Sequence, residues 1–312
     1  MLSAHLLVLN YNARAILEET LPSLLEAVSR SSSACRLSVI DNDSTDDSVA
    51  FIKARFPSVG IFNRPNRLLC SYNEVAKSVN EEVLILLNND LKVDPGFIDP
   101  LLGHFEDDEC AFLVVPRMMN YEGDQETGGF CKAWMSFGVI KVAHVAAPVR
   151  KPGEAVLTFA AGSAGAYSRE KFLKLGGYDD LYLPGTMEDV DLCFRAWKKG
   201  YRCLYEPRSV VYHKGQVSFH KRFGRYGTAE INARNVFLFM WKNFDDRILW
   251  VQHILLSPLR LLSHLMRGQF YWWTGFLKAF AKTDQVRERR KNREGDVRRS
   301  DQEVLAMRGI SA

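Results

Sequence analysis

Val83-Leu84-Ile85-Leu86-Leu87 runs without a polar residue and then stops at Asn88-Asn89-Asp90. An uninterrupted apolar run of this length reads as a strand buried on both faces, the pattern of a parallel sheet covered by helices. Upstream, Leu6-Leu7-Val8-Leu9, Leu37-Ser38-Val39-Ile40 and residues 59–62 are similar short runs. Between the first two, Ile16, Leu17, Leu21, Leu24, Leu25 and Val28 recur at helical spacing, and residues 48–56 suit a second helix. Downstream, Asp94-Pro95 reads as an N-cap followed by a first-turn proline, and residues 110–115 as a fifth strand. Strands alternating with helices predict an α/β fold, with a mostly parallel sheet and right-handed crossovers.

The polar residues gather at one end of these strands. Asn10 and Asn12 follow the first, Asp41 and Asp43 the second, and Asn88, Asn89 and Asp90 the fourth. Ligands of open parallel sheets bind just beyond the carboxyl ends of the strands, so these residues mark the expected binding edge. Turn formation would also favour Asn and Asp after any single strand, but it does not explain three such clusters on one edge.

Two later stretches carry further chemistry. Glu188, Asp189 and Asp191 stand at the start of a helix whose apolar face is Val190, Cys193, Phe194 and Trp197 and which ends at Gly200. Thr186 as cap, with Asp189 at the third position, would use one acid; three exceed what the helix dipole needs. Asp191 is the one best suited to a purely structural role. His213 closes a β-branched run and precedes Lys214-Gly215, a position from which an imidazole projects toward a metal or phosphate. Asp90, at the end of a buried strand, is placed to hold a hard divalent cation.

Composition excludes several classes. Of 312 residues, 47% are hydrophobic and 25% charged, which rules out a disordered or collagen-like chain. Lys and Arg total 41 against 37 Asp and Glu, a net charge of +4, too small an excess to point to nucleic acid. Six cysteines without a CxxC pair fit a reducing compartment, and no apolar run reaches the length of a spanning helix. The expectation is a cytoplasmic protein.

Taken in order, Val8-Leu9-Asn10-Tyr11-Asn12, Asp41-Asn42-Asp43-Ser44, Asn88-Asn89-Asp90, Gly176-Gly177-Tyr178-Asp179, Glu188-Asp189-Val190-Asp191 and His213-Lys214-Gly215 resemble family-2 glycosyltransferases. Within that family the likeness is to the rhamnosyltransferase-like branch that builds bacterial surface polysaccharides, and it covers residues 4–235. The resemblance implies a GT-A fold and inverting transfer from a nucleotide-diphosphate sugar to a glycan or lipid-linked hydroxyl. It implies that Asp41 hydrogen-bonds the pyrimidine ring, with Asn10 and Asn12 in the loop beneath the base and Asp43 among the donor-binding residues. Asn88, Asn89 and Asp90 would match the metal motif, His213 a second metal ligand for Mg2+ or Mn2+, and Asp189 the catalytic base with Glu188 beside it. Asn88 departs from the aspartate at the first motif position, and Leu68, Ser71 and Tyr72 replace glycines near the diphosphate, where Arg67 and Asn73 would otherwise serve the donor. A nucleotidyltransferase and a non-catalytic sugar-nucleotide binder are the alternatives.

Three segments follow on this reading: a catalytic domain at 1–235, amphipathic helices at 236–283 and a charged, loosely ordered tail at 284–312. Residues 117–155, with their glycines, suit an excursion over the sheet containing a hairpin. His253, Ser257, Arg260, His264 and Arg267 form one helical stripe on an otherwise apolar stretch that Pro258 and Gly268 would break. This stripe suits a helix lying on a membrane surface at the inner face of the cell membrane; packing on the catalytic domain, or on a second subunit of a homo-oligomer, is the other reading.

Overall fold

The apolar runs become the strands of one curled sheet. The computed structural model describes residues 2–148, 154–215, 217–293 and 297–307. Its first part comprises β1 (Ala4–Asn10), α1 (Arg14–Arg30), β2 (Cys35–Asp41), α2 (Ser48–Arg55), β3 (Gly60–Asn63), α3 (Ser71–Ser78), β4 (Val83–Asn88), β5 (Leu91–Val93) and α4 (Ile98–Asp107). Then come β6 (Ala111–Asn120), β7 (Glu126–Gly128), β8 (Cys131–Ser136), β9 (Val139–His144), β10 (Val156–Leu157), β11 (Ala164–Ser168), α5 (Arg169–Lys174), α6 (Glu188–Lys198) and β12 (Arg202–His213). Five helices complete the chain: α7 (Val217–Asn243), α8 (Arg247–Met266), α9 (Tyr271–Phe280), α10 (Thr283–Lys291) and α11 (Asp301–Ala306).

The strand order is β10-β12-β6-β11-β4-β1-β2-β3, with β5 on β12 and β7 on β6. The β4-β1-β2-β3 block is parallel, as is β12 with β6, while β11 runs antiparallel between β4 and β6. β8 and β9 form a separate hairpin within the excursion predicted after residue 117. The uninterrupted apolarity of β4 is explained by burial, since Val83 to Leu87 are each 3% exposed or less.

Local details differ from the sequence reading. Asp94 does not cap α4: its carboxylate accepts from Gly96 N (3.2 Å) in a turn, and the helix begins after Phe97. Thr186 does not cap α6 either, because Thr186 and Met187 both adopt left-handed backbone (φ +69° and +71°) and no side chain caps the helix. Pro258 lies inside α8; the break falls at Gly268 (φ +68°) alone. α7 passes through position 235 without interruption.

The tail, expected to be loose, is tied down where described. Asp301 at the start of α11 is buried and accepts from Lys198 Nζ (2.5 Å), while α10 buries Val286. Three of its arginines pair with acids of the preceding chain: Arg289 with Asp179, Arg290 and Arg293 with Asp245.

α6 is joined to α7 by a buried carboxylate. Asp191 accepts from Tyr182 Oη, Arg195 Nε, Lys242 Nζ and Asn243 Nδ2, each at 2.7 Å. These donors hold its carboxyl well below the usual carboxylate range. Arg195 has Asp191 as its ion-pair partner, and Lys242 shares it with Asp179 (2.6 Å). Asp191→Asn leaves Arg195 without that carboxylate and Lys242 with Asp179 alone, and the expected loss of folding stability is about 3–5 kcal/mol, measured by urea unfolding.

Candidate active site

Strand register assembles the site. β1 lies between β2 and β4, pairing Asn10 with Asp41 and Leu9 with Asn88. Asn10, fully buried, donates from Nδ2 to Asp41 Oδ1 (3.1 Å) and accepts at Oδ1 from Asn89 (3.2 Å). It therefore links the Asp41 and Asn89 loops and has no freedom to serve a ligand. Asn12 is exposed and likewise braces its neighbour, accepting from Thr45 N (2.7 Å). Asp41 lines a cavity of about 520 Å³ with Asp43, Ser44, Val49, Asn63, Arg64 and Pro65. Ser44 N donates to its second oxygen (3.0 Å), so the carboxylate is fixed at the cavity wall.

Asp90 and His213 meet because β5 returns along β12. The register places His213 opposite Leu91, and His213 Nε2 lies 3.3 Å from Asp90 Oδ2. Oδ1 of Asp90 is buried without a hydrogen-bond partner. A buried carboxylate oxygen left unpaired beside an imidazole fits a divalent cation, which takes oxygen and nitrogen donors. Among the described residues no group of three or more His, Cys, Asp or Glu is placed to hold a metal. Asp90 and His213 would therefore supply two protein donors, leaving the rest of the coordination shell to a diphosphate and water.

From His213 the site continues through the start of β11. Ser163 Oγ is 3.5 Å from His213 Nε2, and Ser163 O accepts from Asn88 N (3.0 Å). The neighbouring Gly162 has no Cβ, which leaves room for the ring of His144: an added Cβ would lie 3.2 Å from His144 Cε1. Gly165, by contrast, is small for packing, since a Cβ there would strike Leu113. His144 ends β9 opposite Cys131, its Nδ1 lying 3.1 Å from the Cys131 sulfur. Its residue is open to solvent, yet the surrounding protein lowers the imidazole pKa even though Asp189 pulls it upward.

Glu188 and Asp189 open α6, with Asp189 within electrostatic reach of His144. Trp197 Nε1 donates to Phe159 O (3.1 Å), holding the helix against the segment that leads to Gly162 and Ser163. Burial raises the pKa of both carboxyls, and Asp189 pushes Glu188 further, to about 8. At neutral pH Glu188 therefore holds its proton, which removes one of two adjacent negative charges at the start of α6.

Arg67 lies elsewhere. It pairs with Asp180 (2.9 Å) and Glu74, and with Cys70 and Asn73 lines a second cavity of about 650 Å³ rather than the Asp41 cavity. Asn73 holds Tyr178 at both backbone groups. The residues replacing glycines also serve the interior: Tyr72 is buried and donates to Leu87 O (2.8 Å), and Leu68 takes the left-handed conformation a glycine would favour (φ +53°).

Sequence reasoning missed His144, Cys131 and Asn235. Asn235, buried in α7, donates to Tyr182 O, Gly185 O and Thr186 O (2.7, 2.6 and 2.9 Å), pinning the left-handed turn ahead of Glu188. None stands in a motif. Only the glycines at 128 and 162, whose missing Cβ atoms admit the His144 ring, signalled that something occupies that space.

Glu188 makes stability depend on pH. Its pKa rises from 4.5 unfolded to about 8 folded, so the native state binds the extra proton and wild-type stability falls as pH climbs between these values. Glu188→Gln lacks this slope. Urea unfolding at pH 5 and pH 8 is expected to show the variant gaining on wild type at the higher pH.

Residues 6–141 match the family described as Glycosyl transferase family 2. The chain is 29% identical over 133 residues to the Pre-mycofactocin glycosyltransferase of Mycobacterium tuberculosis, covering 42% of this chain and 27% of that one. It thus spans about a quarter of the length of that curated relative. It is 26% identical over 285 residues to the N-acetylglucosaminyl-diphospho-decaprenol L-rhamnosyltransferase of M. tuberculosis, covering 82% of this chain and 90% of that one. Among solved structures it superposes on GalNAc-T7 with UDP, GalNAc and Mn2+ (TM-score 0.61, 20% identity, 79% of this chain and 49% of that one). It also matches the mannosyltransferase PcManGT from Pyrobaculum calidifontis with GDP-Man and Mn2+ (TM-score 0.50, 14% identity, 90% and 75%). At these identities the two structures speak to the fold. The chain has the GT-A fold, and its residues 6–141 carry a domain of glycosyl transferase family 2, which with its relatives supports a glycosyltransferase.

Proposed function

We propose that this chain is an inverting, metal-dependent transferase that moves a sugar from a nucleotide diphosphate to a hydroxyl of a glycan or lipid-linked acceptor. The work belongs to surface-polysaccharide synthesis in the cytoplasm, at the inner face of the cell membrane. One observation carries the reading: a continuous path of contacts leads from the Asp41 cavity through Asn10 and Asn89 to the Asp90–His213 pair, then through Ser163 and Gly162 to His144. At the far end, Asp189 lies near enough to His144 for each to shift the other's pKa. A relative named as a rhamnosyltransferase of N-acetylglucosaminyl-diphospho-decaprenol, and structural neighbours holding UDP or GDP-Man with Mn2+, support it.

In this reading the nucleotide base enters the Asp41 cavity and the diphosphate lies toward Asp90 and His213. A divalent cation bound there supplies electrostatic stabilisation of the departing diphosphate. An acceptor hydroxyl has a pKa far above 7, so its proton must leave as its oxygen attacks the anomeric carbon. Asp189 takes that proton, and its raised pKa makes it a better acceptor for it. The new C–O bond forms as the bond to the diphosphate breaks, the electron pair leaving with the nucleoside diphosphate. Glu188, protonated, spares Asp189 a second adjacent negative charge. Neutral His144 faces the acceptor.

Asp189→Asn is expected to lower transfer by about 10²–10⁴-fold while nucleotide binding, read by thermal shift, stays within about twofold. Wild-type turnover in this variant removes Asp189 from the chemistry. Release of pyrophosphate instead of nucleoside diphosphate would identify a nucleotidyltransferase. Asp90→Ala and His213→Ala are each expected to abolish stimulation by Mn2+ in a donor-hydrolysis assay; retained stimulation in both places the cation elsewhere.

A further inference from the structure

α8 is amphipathic in the reverse sense from a soluble helix. The stripe containing His253, Ser257 and Arg260 is buried, and it holds the tip of the β8–β9 hairpin. His253 Nδ1 donates to Gly138 O (2.5 Å) and its Nε2 accepts from Trp241 (2.9 Å), while Arg260 donates to Phe137 O (2.8 Å) and to Ser136 O. The apolar residues therefore point outward: Ile248, Val251, Ile254, Leu255, Leu259 and Leu262 are each 50–65% exposed. α9 adds Leu277 and Phe280 at similar exposure. Turning the helix to hide these side chains would strip the hairpin tip of its hydrogen bonds, so the orientation is locked.

Charge decides what covers this face. From Arg247 to Ala281 the chain has no acidic residue. Arg247 and Arg267 stand exposed at the two ends of α8, and Trp250, Tyr271, Trp272 and Trp273 are half-buried along its margin. An apolar strip about 30 Å long, rimmed by cations and amphipathic aromatics, has the chemistry of a helix seated among lipid headgroups and acyl chains. A second copy fits poorly: parallel or antiparallel, α8 against α8 sets arginine near arginine with no acid in the segment to offset it. No helix of the described residues is long and apolar enough to cross a membrane, which leaves an interfacial position.

We propose that the outward face of α8, extended by α9, seats this protein in the surface of a bilayer containing anionic lipid. The hairpin it grips runs from Gly138 to His144, roughly 20 Å, so a lipid-borne acceptor is brought near the cleft. This partner rests on the membrane-face acceptor proposed above, but its test reads binding and not turnover, so either can fail alone. Full-length protein is sedimented with vesicles of phosphatidylcholine, with and without phosphatidylglycerol, at low and high salt. Leu255→Glu/Leu262→Glu, at exposed positions, is compared after its thermal midpoint is shown to equal that of wild type; Arg247→Ser/Arg267→Ser serves as a second variant. Wild type is expected to bind anionic vesicles at least 10-fold better than the Glu variant. Salt and the Ser variant are expected to weaken binding severalfold. No sedimentation of wild type, or equal sedimentation of wild type and both variants, overturns the proposal. So does a dimer in analytical ultracentrifugation that the Glu variant dissociates while vesicles bind neither protein.

Discussion

One buried carboxylate fixes the geometry on which the cleft depends. Asp191 sits two residues after Asp189 on α6 and faces inward, where Arg195, Lys242, Asn243 and Tyr182 converge on it. Arg195 also bonds Leu175 O and Gly177 O, and Lys242 reaches Asp179 (2.6 Å). The Gly176–Asp179 turn, the first two turns of α6 and the end of α7 are thereby held as a unit. Buried ion pairs add little net stability over apolar packing, because desolvation offsets attraction. What this one contributes is direction: with Asp191 committed inward, Glu188 and Asp189 stand at the open end of the helix.

The same economy governs the cleft itself. Most of its polar residues are bound to one another, and among the described residues three buried side-chain oxygens lack a partner, those of Asn42, Asp90 and Glu188. Asp90 Oδ1 and Glu188 Oε2 are buried without partners, one beside His213 and the other beside Asp189. An unpaired buried oxygen is costly; a proton on Glu188 relieves that cost there, and in the proposed function a cation would do so at Asp90. Asn235 adds a positioning role from the opposite side, holding the left-handed Thr186–Met187 turn from α7. The helical C-terminal part is therefore structurally continuous with the catalytic part, through Asn235, Lys242 and the α8 grip on the hairpin.

The sheet was legible in the sequence because apolar runs and their polar ends are local features. β1, β2, β4 and β6 fall where the runs stood, Asp41 and His213 close their strands, and Asp90 falls in the turn between β4 and β5. Roles were less legible. Asn10 and Asn89 were read as ligand-facing, but across three strands they bond one another and Asp41. Arg67, near in sequence to the substituted glycine loop, turns to Asp180 instead. His144 gave no local signal, because its place depends on the β8–β9 register and on two distant glycines.

The C-terminal stripe shows where the boundary lies. Periodicity in the sequence determined that α8 has one polar and one apolar side, and the alternation of runs determined an α/β sheet with a polar edge. Which side of α8 faces outward depended on a hydrogen-bonding partner more than a hundred residues away, the carbonyls of Ser136, Phe137 and Gly138. Only the tertiary structure could decide that. A helical pattern fixes the angles between side chains on one element, whereas burial is settled by whatever another part of the chain brings against it.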